Sequence, residues 1–442
     1  MTFKVYGSRI NAGFLIRSKI IVVKTFRPKL FDTFRDYSKK QFISDVTAGI
    51  IVAIIALPLS IALAIASGVS PEKGLYTAII AGIVIALLGG SRVNISGPTA
   101  AFAAIVAGIV AQHGIDGLAI ATIMAGIMLI LMGLFRLGTL IKYIPETITV
   151  GFTSGIAITI IIGQIKDFLG ITFAPGTNAI EAPEKIIAIV ESISTLNPLA
   201  LVTGIAALAI LIVWPKISKK VPGSLIAVLV ITVLVALTKL EVNTIGDLYQ
   251  ISSSLPHFTL PAFSMEKVVS LIPSAFTIAL LAAIESLLSC VVSDKMISDT
   301  HNSNTELIAQ GTGNIFSALF GGIPATGAIA RTAANVKNGG RSPISGIVHG
   351  IVLLLVLVIF MPYASFIPMP VIAAVLFMVA YNMSEWRHFV DICKKAPIYE
   401  TLVLVLTFVL TVVFDLVVAI SIGLTVHYAI VLIKKLIKKR KA

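Results

Sequence analysis

Two stretches of the chain interrupt its apolar segments in the same way: residues 89–108 read GGSRVNISGPTAAFAAIVAG and residues 321–340 read GGIPATGAIARTAANVKNGG. Each follows a long apolar segment, opens with two glycines, and passes through Pro, Thr and Gly into a run of small residues. They lie about half the chain apart, as an internal duplication would place them. Such paired breaks in a membrane protein indicate a binding site near the middle of the bilayer. The alternative is two ordinary Gly/Pro kinks, which transmembrane helices tolerate.

The composition of the chain is that of a membrane protein. Of 442 residues, 57% are hydrophobic and 12% are charged, and the mean hydropathy is +1.01. Because soluble domains carry about twice as much charge, a single water-soluble globule is excluded. The apolar runs are continuous and long enough for helices, so we predict an all-α polytopic membrane protein rather than a barrel of alternating strands.

Fourteen apolar segments, separated by Pro, Gly or charged residues, predict fourteen membrane spans. They lie at about 44–67, 74–90, 97–112, 115–136, 146–169, 196–214, 222–240, 268–291, 304–320, 326–336, 343–362, 365–381, 398–413 and 414–437. Seven spans in each half would invert the second half in the membrane, so we predict a 7+7 inverted repeat. The two broken stretches then form short helices as spans 3 and 10.

The formal net charge of +13 follows the predicted topology. With both termini cytoplasmic, most of the 34 Lys and Arg residues fall in cytoplasmic loops and ends, as the positive-inside rule predicts. Residues 1–43 are predicted to be a basic cytoplasmic segment and residues 438–442 a basic cytoplasmic tail. Because no basic face with stacking aromatics is evident, we expect no nucleic-acid partner.

The sequence contains no sign of an enzyme. Its six histidines make no paired metal-ligand spacing, and neither a phosphate-binding glycine loop nor a nucleophile elbow occurs. We therefore predict no catalytic residue, no metal and no cofactor.

The breaks themselves predict an anion site. A helix that begins inside the membrane presents unpaired backbone N–H groups and the positive end of its dipole, so two such ends facing each other would bind an anion without a basic side chain. The candidate residues are Thr99, Ala100, Ala101 and Phe102 at the first end, and Gly327, Ala328, Ile329 and Ala330 at the second. Small side chains let an anion approach the backbone, although Gly and Ala also allow plain tight helix packing.

Two ionisable residues inside predicted spans are candidates for a functional role, Arg331 and Glu285. Arg331 directly follows the second helix end, and the cost of placing arginine in the bilayer predicts that it faces a polar cavity and attracts the anion. The alternatives are that it snorkels to the cytoplasmic interface or pairs structurally with a carboxylate. Glu285 lies in the apolar run 277–292 and is predicted to carry the coupling proton, because its protonation would offset the charge of an added anion. A purely structural pair of these two residues is the alternative.

Six stretches of the sequence resemble the SulP family of anion transporters. They are DVTAGIIVAIIALPLSIALAIASGVSPEKGLYTA from Asp45, GGSRVNISGPTAAF from Gly89, YIPETITVGFTSGIAI from Tyr143, AAIESLLSCVVSD from Ala282, ELIAQGTGNIFSALFGGIPATGAIARTAANVKNGG from Glu306, and FDLVVAISIG from Phe414. The resemblance covers nearly the whole chain from Asp45 onward. It is strongest to bacterial members associated with C4-dicarboxylates, and next to the bicarbonate branch.

The resemblance implies a transporter domain at 44–437 with two parts. Spans 1–4 and 8–11 would form a core domain, and spans 5–7 and 12–14 a gate domain against which the core slides like an elevator. Substrate would lie between the half-helices of spans 3 and 10. Family members usually append a cytoplasmic STAS domain and commonly dimerise, so a homodimer is expected, whereas no STAS domain is expected in a chain that ends in KKLIKKRKA.

The resemblance also implies roles for single residues. Pro58 and Leu59 fall in span 1, which lines the family's site. Glu285 matches the acidic position used for cation coupling, with Ser289 four residues further on. In sodium-dependent bicarbonate members of the family, the position of Glu285 resembles an aspartate with hydroxyls nearby. The resemblance therefore implies H+ rather than Na+ as the coupling ion.

We therefore predict a secondary active anion transporter of the cell (inner) membrane that imports a dicarboxylate, sulfate or bicarbonate with protons. The first alternative is a nucleobase permease of the same architecture, which would need polar side chains where this chain has mostly Ala, Ile and Gly. The second is an anion channel, which saturable uphill accumulation would exclude.

Overall fold

The computed structural model describes residues 26–33, 37–139, 145–177, 179–218, 221–414 and 416–441, and it is mostly helical. The α-helices are α1 (Lys29–Thr33), α2 (Lys39–Ala66), α3 (Pro71–Leu88), α4 (Ala103–Leu134), α5 (Glu146–Leu169), α6 (Ala182–Glu191), α7 (Pro198–Ile217), α8 (Gly223–Thr238), α9 (Ile245–Leu248), α10 (Met265–Ser270), α11 (Ile272–Ile297), α12 (Ser303–Leu319), α13 (Ile329–Lys337), α14 (Ile344–Phe360), α15 (Met369–Met383), α16 (Trp386–Lys395), α17 (Ile398–Val413) and α18 (Leu416–Lys441). Short 3-10 helices are Ala100–Phe102, Ile193–Thr195 and Met361–Phe366, and the two strands are β1 (Ser96–Gly97) and β2 (Thr326–Gly327).

The predicted all-α polytopic fold is confirmed. Eight helical stretches of the described chain are long and apolar enough to cross a membrane, and each of the fourteen predicted segments overlaps helical structure. The count of fourteen crossings stays a prediction, because several of these helices are shorter than the roughly 20 residues that a crossing takes.

The first short helix is an arm of a longer one. Predicted spans 3 and 4 are continuous in α4, but Gly114 has φ +69° and ψ −174° and breaks the helical geometry between them. Glycine adopts this positive φ at little cost, whereas other residues are strained there. Helix α4 therefore has a short arm that begins at Ala103 and a long arm that ends at Leu134.

The two halves of the chain contact each other in matched pairs. Helix α2 packs on α14 as α11 packs on α4, and α3 packs on α14 as α12 packs on α4. In the same way α5 packs on α17 as α15 packs on α7. When the spans are numbered from the start of each half, both contacts of a matched pair join the same two span positions. The half that contributes each position is exchanged, and two inverted copies of one fold produce this pattern.

The helices pack in two groups. The first group contains α2–α4 and α11–α14, and the second contains α5, α7, α8, α15, α17 and α18. Between them, α2 contacts α8 and α15, and the 3-10 helix 100–102 contacts α5. The first group contains helices of the predicted core and the second contains helices of the predicted gate, and both this division into domains and the sliding of one against the other stay predictions.

The described part of the N-terminal segment lies on the first group. The Lys29 N–H donates to the Gly89 carbonyl at 2.9 Å, beside the first break. The Tyr37 hydroxyl donates to Oδ2 of Asp45 at 2.8 Å, and burial raises the pKa of Tyr37 to about 12, so this phenol keeps its proton. Residues 1–25 and 34–36 of the predicted N-terminal segment lie outside the described residues. In the predicted tail 438–442, Ala442 and the side chains of 438–441 also lie outside them.

Helices α4 and α12 are in close backbone contact at Gly126 and Gly311. A Cβ added at Gly126 would lie 2.6 Å from the carbonyl oxygen of Gly311. We expect Gly126→Ala to lower the free energy of unfolding by about 1–3 kcal/mol, because overpacking forces the helices apart. Gly108→Ala in the same helix is the matched control, since a Cβ there has no neighbour within 4 Å. Thermal unfolding in detergent compares the two variants, and equal melting temperatures would contradict the prediction.

Candidate functional site

The two broken stretches meet in an antiparallel strand pair. Ser96 lies opposite Gly327, and Gly97 lies opposite Thr326. Each strand leads within a few residues into a helix: β1 into the 3-10 helix 100–102 and the short arm of α4, and β2 into α13. Because the strands run in opposite directions, the pair brings two helix N-terminal ends together from opposite sides.

Helix α11 holds the second strand in place. The Gly327 N–H donates to the Ser286 hydroxyl at 3.0 Å, and the Thr326 hydroxyl donates to the Ala282 carbonyl at 3.0 Å. The hydroxyls of Ser286 and Thr326 are 2.7 Å apart. Three hydrogen bonds therefore fix β2 on the helix that also carries Glu285.

The first helix end is built from small buried residues. Ala100, Ala101 and Phe102 are all buried, and the Phe102 N–H donates to the Thr99 carbonyl at 3.2 Å. As the first residues of a helix, Ala100 and Ala101 have no acceptor within it for their own N–H groups. The half-buried Thr99 donates its hydroxyl to Oε2 of Glu285 at 2.9 Å.

The second helix end uses some of the predicted donors internally. The Ala328 N–H donates to the Ile95 carbonyl at 2.8 Å, and the Gly327 N–H is already bonded to a serine. Tertiary partners therefore occupy both N–H groups in this conformation, and binding of the anion at Gly327 and Ala328 stays a prediction. Ile329 and Ala330 follow in the first turn of α13, are exposed, and have no acceptor within the helix for their N–H groups.

Arg331 points into the protein. Its side chain is buried, and its Nη2 donates to the Pro98 carbonyl between the first strand and the first helix end. Its Nη1 is buried with no hydrogen-bond partner in the described part of the chain. A Cβ at Gly97 would lie 2.6 Å from this Nη1, so glycine makes room for the guanidinium. Snorkelling of Arg331 to the interface does not occur in this structure.

Glu285 lies between the two ends. Its carboxylate is half-buried, bonds to Thr99, and interacts with Arg331 by charge at longer range rather than through a hydrogen bond. The three side chains therefore form one cluster beside the first helix end. This separation weakens the alternative of a purely structural ion pair, whose stability would need close hydrogen-bonded contact.

The remaining predicted site residues are Pro58, Leu59 and Ser289. Pro58 is buried inside α2 and Leu59 is half-buried, on a helix that packs against α13. Ser289 is fully buried and donates to Oδ1 of Asn94 at 2.7 Å. Its hydroxyl thus bonds to the loop before β1 rather than to Glu285.

A set of buried polar residues behind the strand pair was not predicted from the sequence. They are Asn94, Ser286, Glu306, Gln310 and Thr332. A signal was present, because Glu306 and Gln310 stand four residues apart on one face of an apolar helix. Buried polar groups of this kind are almost always hydrogen-bonded to one another, so they report a specific tertiary contact.

The chemistry of the site suits an anion rather than a metal ion. Across the described ranges, no three His, Cys, Asp or Glu side chains are placed to hold a metal. The groups around the strand pair are backbone N–H groups, hydroxyls, one guanidinium and one carboxylate. Converging N–H donors at helix N-terminal ends bind oxyanions and carboxylates.

A second group of cations lies in an open basin of about 720 Å³ that includes Arg27, Lys29 and Arg92. These cations already have carboxylate partners: Asp32 is 2.5 Å from Arg27, and Asp299 is 3.4 Å from Lys29 and 3.0 Å from Arg92. An anion would have to displace those partners, so the basin is the weaker candidate site.

The sequence of this chain is similar to those of known membrane transporters. Residues 42–407 match the model of the sulfate permease family. The Bacillus subtilis protein YvdB is 46% identical over 401 residues, which cover 89% of this chain and 74% of YvdB. The bicarbonate transporter BicA of Picosynechococcus is 34% identical over 355 residues, which cover 77% of this chain and 62% of BicA.

Solved structures agree with the sequence comparisons. The transmembrane domain of a cyanobacterial bicarbonate transporter BicA superposes with a TM-score of 0.78 at 30% identity, covering 87% of this chain and 98% of that domain. SLC26A9 has a TM-score of 0.84 at 19% identity over 98% of this chain and 73% of its own, a likeness of fold. With the family match spanning most of its length and the paired helix ends at its centre, the chain belongs to the sulfate permease family.

Proposed function

We propose that the chain is a secondary active transporter of a small anion, with sulfate or bicarbonate as substrate and a dicarboxylate as the third candidate. The observation that supports this most is the meeting of two helix N-terminal ends across the β1–β2 pair. Their N–H groups at Ala100, Ala101, Ile329 and Ala330, together with buried Arg331, make a positive region without a surface charge. Sulfate comes from the name of the family and bicarbonate from that of BicA, whereas the dicarboxylate comes from the resemblance of the sequence alone.

Proton coupling through Glu285 deepens this proposal. The carboxylate bonds to Thr99 at the first helix end, so its charge acts where the anion would bind. An anion that enters beside an ionised carboxylate is repelled, and protonation of Glu285 removes that repulsion. Anion and proton would then bind together and cross together. Sodium remains an outcome of the test below.

The movement we propose is sliding of the first helix group against the second. The proposed site would lie at the boundary between the groups. The 3-10 helix 100–102 contacts α5 of the second group, whereas α13 belongs to the first group and β1 and β2 pack on its helices α3 and α11. Displacement of the first group as a body would carry both helix ends and the bound anion together. We also propose that both termini are cytoplasmic and that the protein is a homodimer.

Uptake by proteoliposomes tests the function. We expect saturable, concentrative uptake of labelled sulfate or bicarbonate when the outside is more acidic than the lumen, and no stimulation by an inward sodium gradient alone. Sodium-driven uptake that ignores pH would reject the coupling. Downhill flux without saturation would identify a channel, and competition by uracil without competition by any anion would identify a nucleobase permease.

A further inference from the structure

Asn94 lies at the centre of a buried polar cluster behind the strand pair. Its Nδ2 donates to Oε1 of Glu306 at 2.8 Å, and its Oδ1 accepts the hydroxyls of Ser289 at 2.7 Å and Thr332 at 3.0 Å. The Thr332 Oγ1 also accepts the Ile95 N–H at 3.0 Å. One side chain therefore ties α11, α12 and α13 to the loop that enters β1. These partners fix the orientation of the amide, since only its nitrogen can face the carboxylate.

Glu306 is the anchor of this cluster. It is fully buried, and its Oε2 accepts the N–H groups of Gly90 at 2.9 Å and Ser91 at 3.2 Å. Its Oε1 accepts Nδ2 of Asn94 and, at 2.9 Å, Nε2 of Gln310. Four N–H donors satisfy both oxygens, which is the environment that a buried carboxylate needs.

The cluster touches both broken stretches. A Cβ at Gly327 would lie 2.6 Å from Nδ2 of Asn94, so β2 rests directly against this amide. On the other strand, the Ser96 hydroxyl accepts Nε2 of Gln310 at 3.0 Å. Through Thr332, Asn94 also reaches the first turns of α13. The same few hydrogen bonds thus locate β1, β2 and the second helix end relative to each other.

We infer that Asn94 and Glu306 are positioning residues that set the spacing of the two helix ends at which the anion binds, an inference that rests on the proposed function. Neither residue contacts the anion. Binding groups must be held within about 0.5 Å of their productive geometry by the residues that support them. Loss of the Asn94–Glu306 bond would let the two strands shift, and the anion would then be bound more weakly by an otherwise intact transporter.

A swap of the two side-chain types tests this inference. Asn94→Asp places two carboxylates at hydrogen-bond distance, and Glu306→Gln presents an amide nitrogen to donors. We expect each single variant to raise the KM for anion uptake about tenfold, the effect of losing about 1.4 kcal/mol of binding.

The double variant restores one amide facing one carboxylate. Its new amide at position 306 keeps an oxygen for the two backbone N–H groups and donates to the new carboxylate at position 94, while Gln310 accepts by rotating its own amide. We expect its KM to return to within about threefold of wild type.

Asn338→Asp is the matched control, because Asn338 is exposed directly after α13 and its side-chain amide donates to the Ala334 carbonyl of that helix. Its KM should equal that of wild type. Wild-type KM in Asn94→Asp, or a double variant no better than the worse single variant, would overturn the inference. Melting temperatures in detergent are measured alongside, and failure of the double variant to recover both folding and uptake also counts against it. Absence of uptake by the wild type would instead reject the proposed function.

Discussion

Replacing Ala330 by Asp is expected to lower anion uptake about a hundredfold while the protein stays folded. Ala330 is exposed in the first turn of α13. A carboxylate there interacts favourably with the positive helix end and stabilises the helix by about 0.3–1 kcal/mol. The same carboxylate repels an approaching anion, a like-charge contact that costs several kcal/mol, and about 2.7 kcal/mol already corresponds to a hundredfold loss of affinity. In Ala330→Asp the stability of the protein should therefore rise slightly while the rate of anion uptake falls.

Ala330→Asn separates charge from size in this experiment. Asn has nearly the same shape as Asp but no charge, so we expect its KM to rise by less than about tenfold. Uptake kinetics in proteoliposomes and melting temperature in detergent are measured for both variants. Equal losses in the two variants would mean that the site tolerates no larger side chain, and a wild-type KM in Ala330→Asp would place anion binding elsewhere.

Replacing Glu285 by Gln is expected to abolish concentrative uptake while exchange of anion across the membrane persists. Gln keeps an oxygen that accepts the Thr99 hydroxyl, so the first helix end retains its geometry. It cannot exchange a proton. With the membrane potential clamped, a gradient of two pH units supports up to about hundredfold accumulation per coupled proton, since a factor of ten corresponds to about 1.4 kcal/mol. The accumulation ratio should therefore fall from this range to about one.

Counterflow with preloaded anion measures the exchange that should remain in Glu285→Gln. Glu266→Gln is the matched control, because Glu266 is exposed in α10, away from the strand pair. The control should accumulate anion like the wild type. Proton-driven accumulation that survives in Glu285→Gln would remove this carboxylate from the coupling mechanism.

The fold could be predicted largely from the sequence, because membrane helices must satisfy their own backbone and therefore appear as long apolar runs. The Gly/Pro breaks located the two short helices, and Gly114 marks where the first ends. Family membership confirms a membrane transporter rather than an enzyme. The number of membrane crossings was harder to predict. A helix such as α17 or α8 is so short that its length alone does not show whether it crosses the bilayer.

The site was predicted only in outline. The breaks indicate which N–H groups leave the helical pattern, but not which of them a tertiary partner takes, so the bonds of Gly327 to Ser286 and of Ala328 to Ile95 could not be foreseen. Ser289 was interpreted through its distance from Glu285 along the chain, yet its partner is distant in sequence. Single-sequence periodicity assigns a residue to a helix face, whereas the element that faces it is set by the packing of the two halves.

The position of a bound oxyanion would show whether the two helix ends form the anion site. Crystals of the protein soaked with selenate, whose selenium scatters anomalously, would give the position of the anion without assuming a mechanism. We expect a selenium peak between the two helix ends, with selenate oxygens at hydrogen-bond distance, about 2.7–3.2 Å, from the backbone nitrogens of Ile329 and Ala330. A peak confined to the basin around Arg27, Lys29 and Arg92, in a protein that transports the anion, would contradict it.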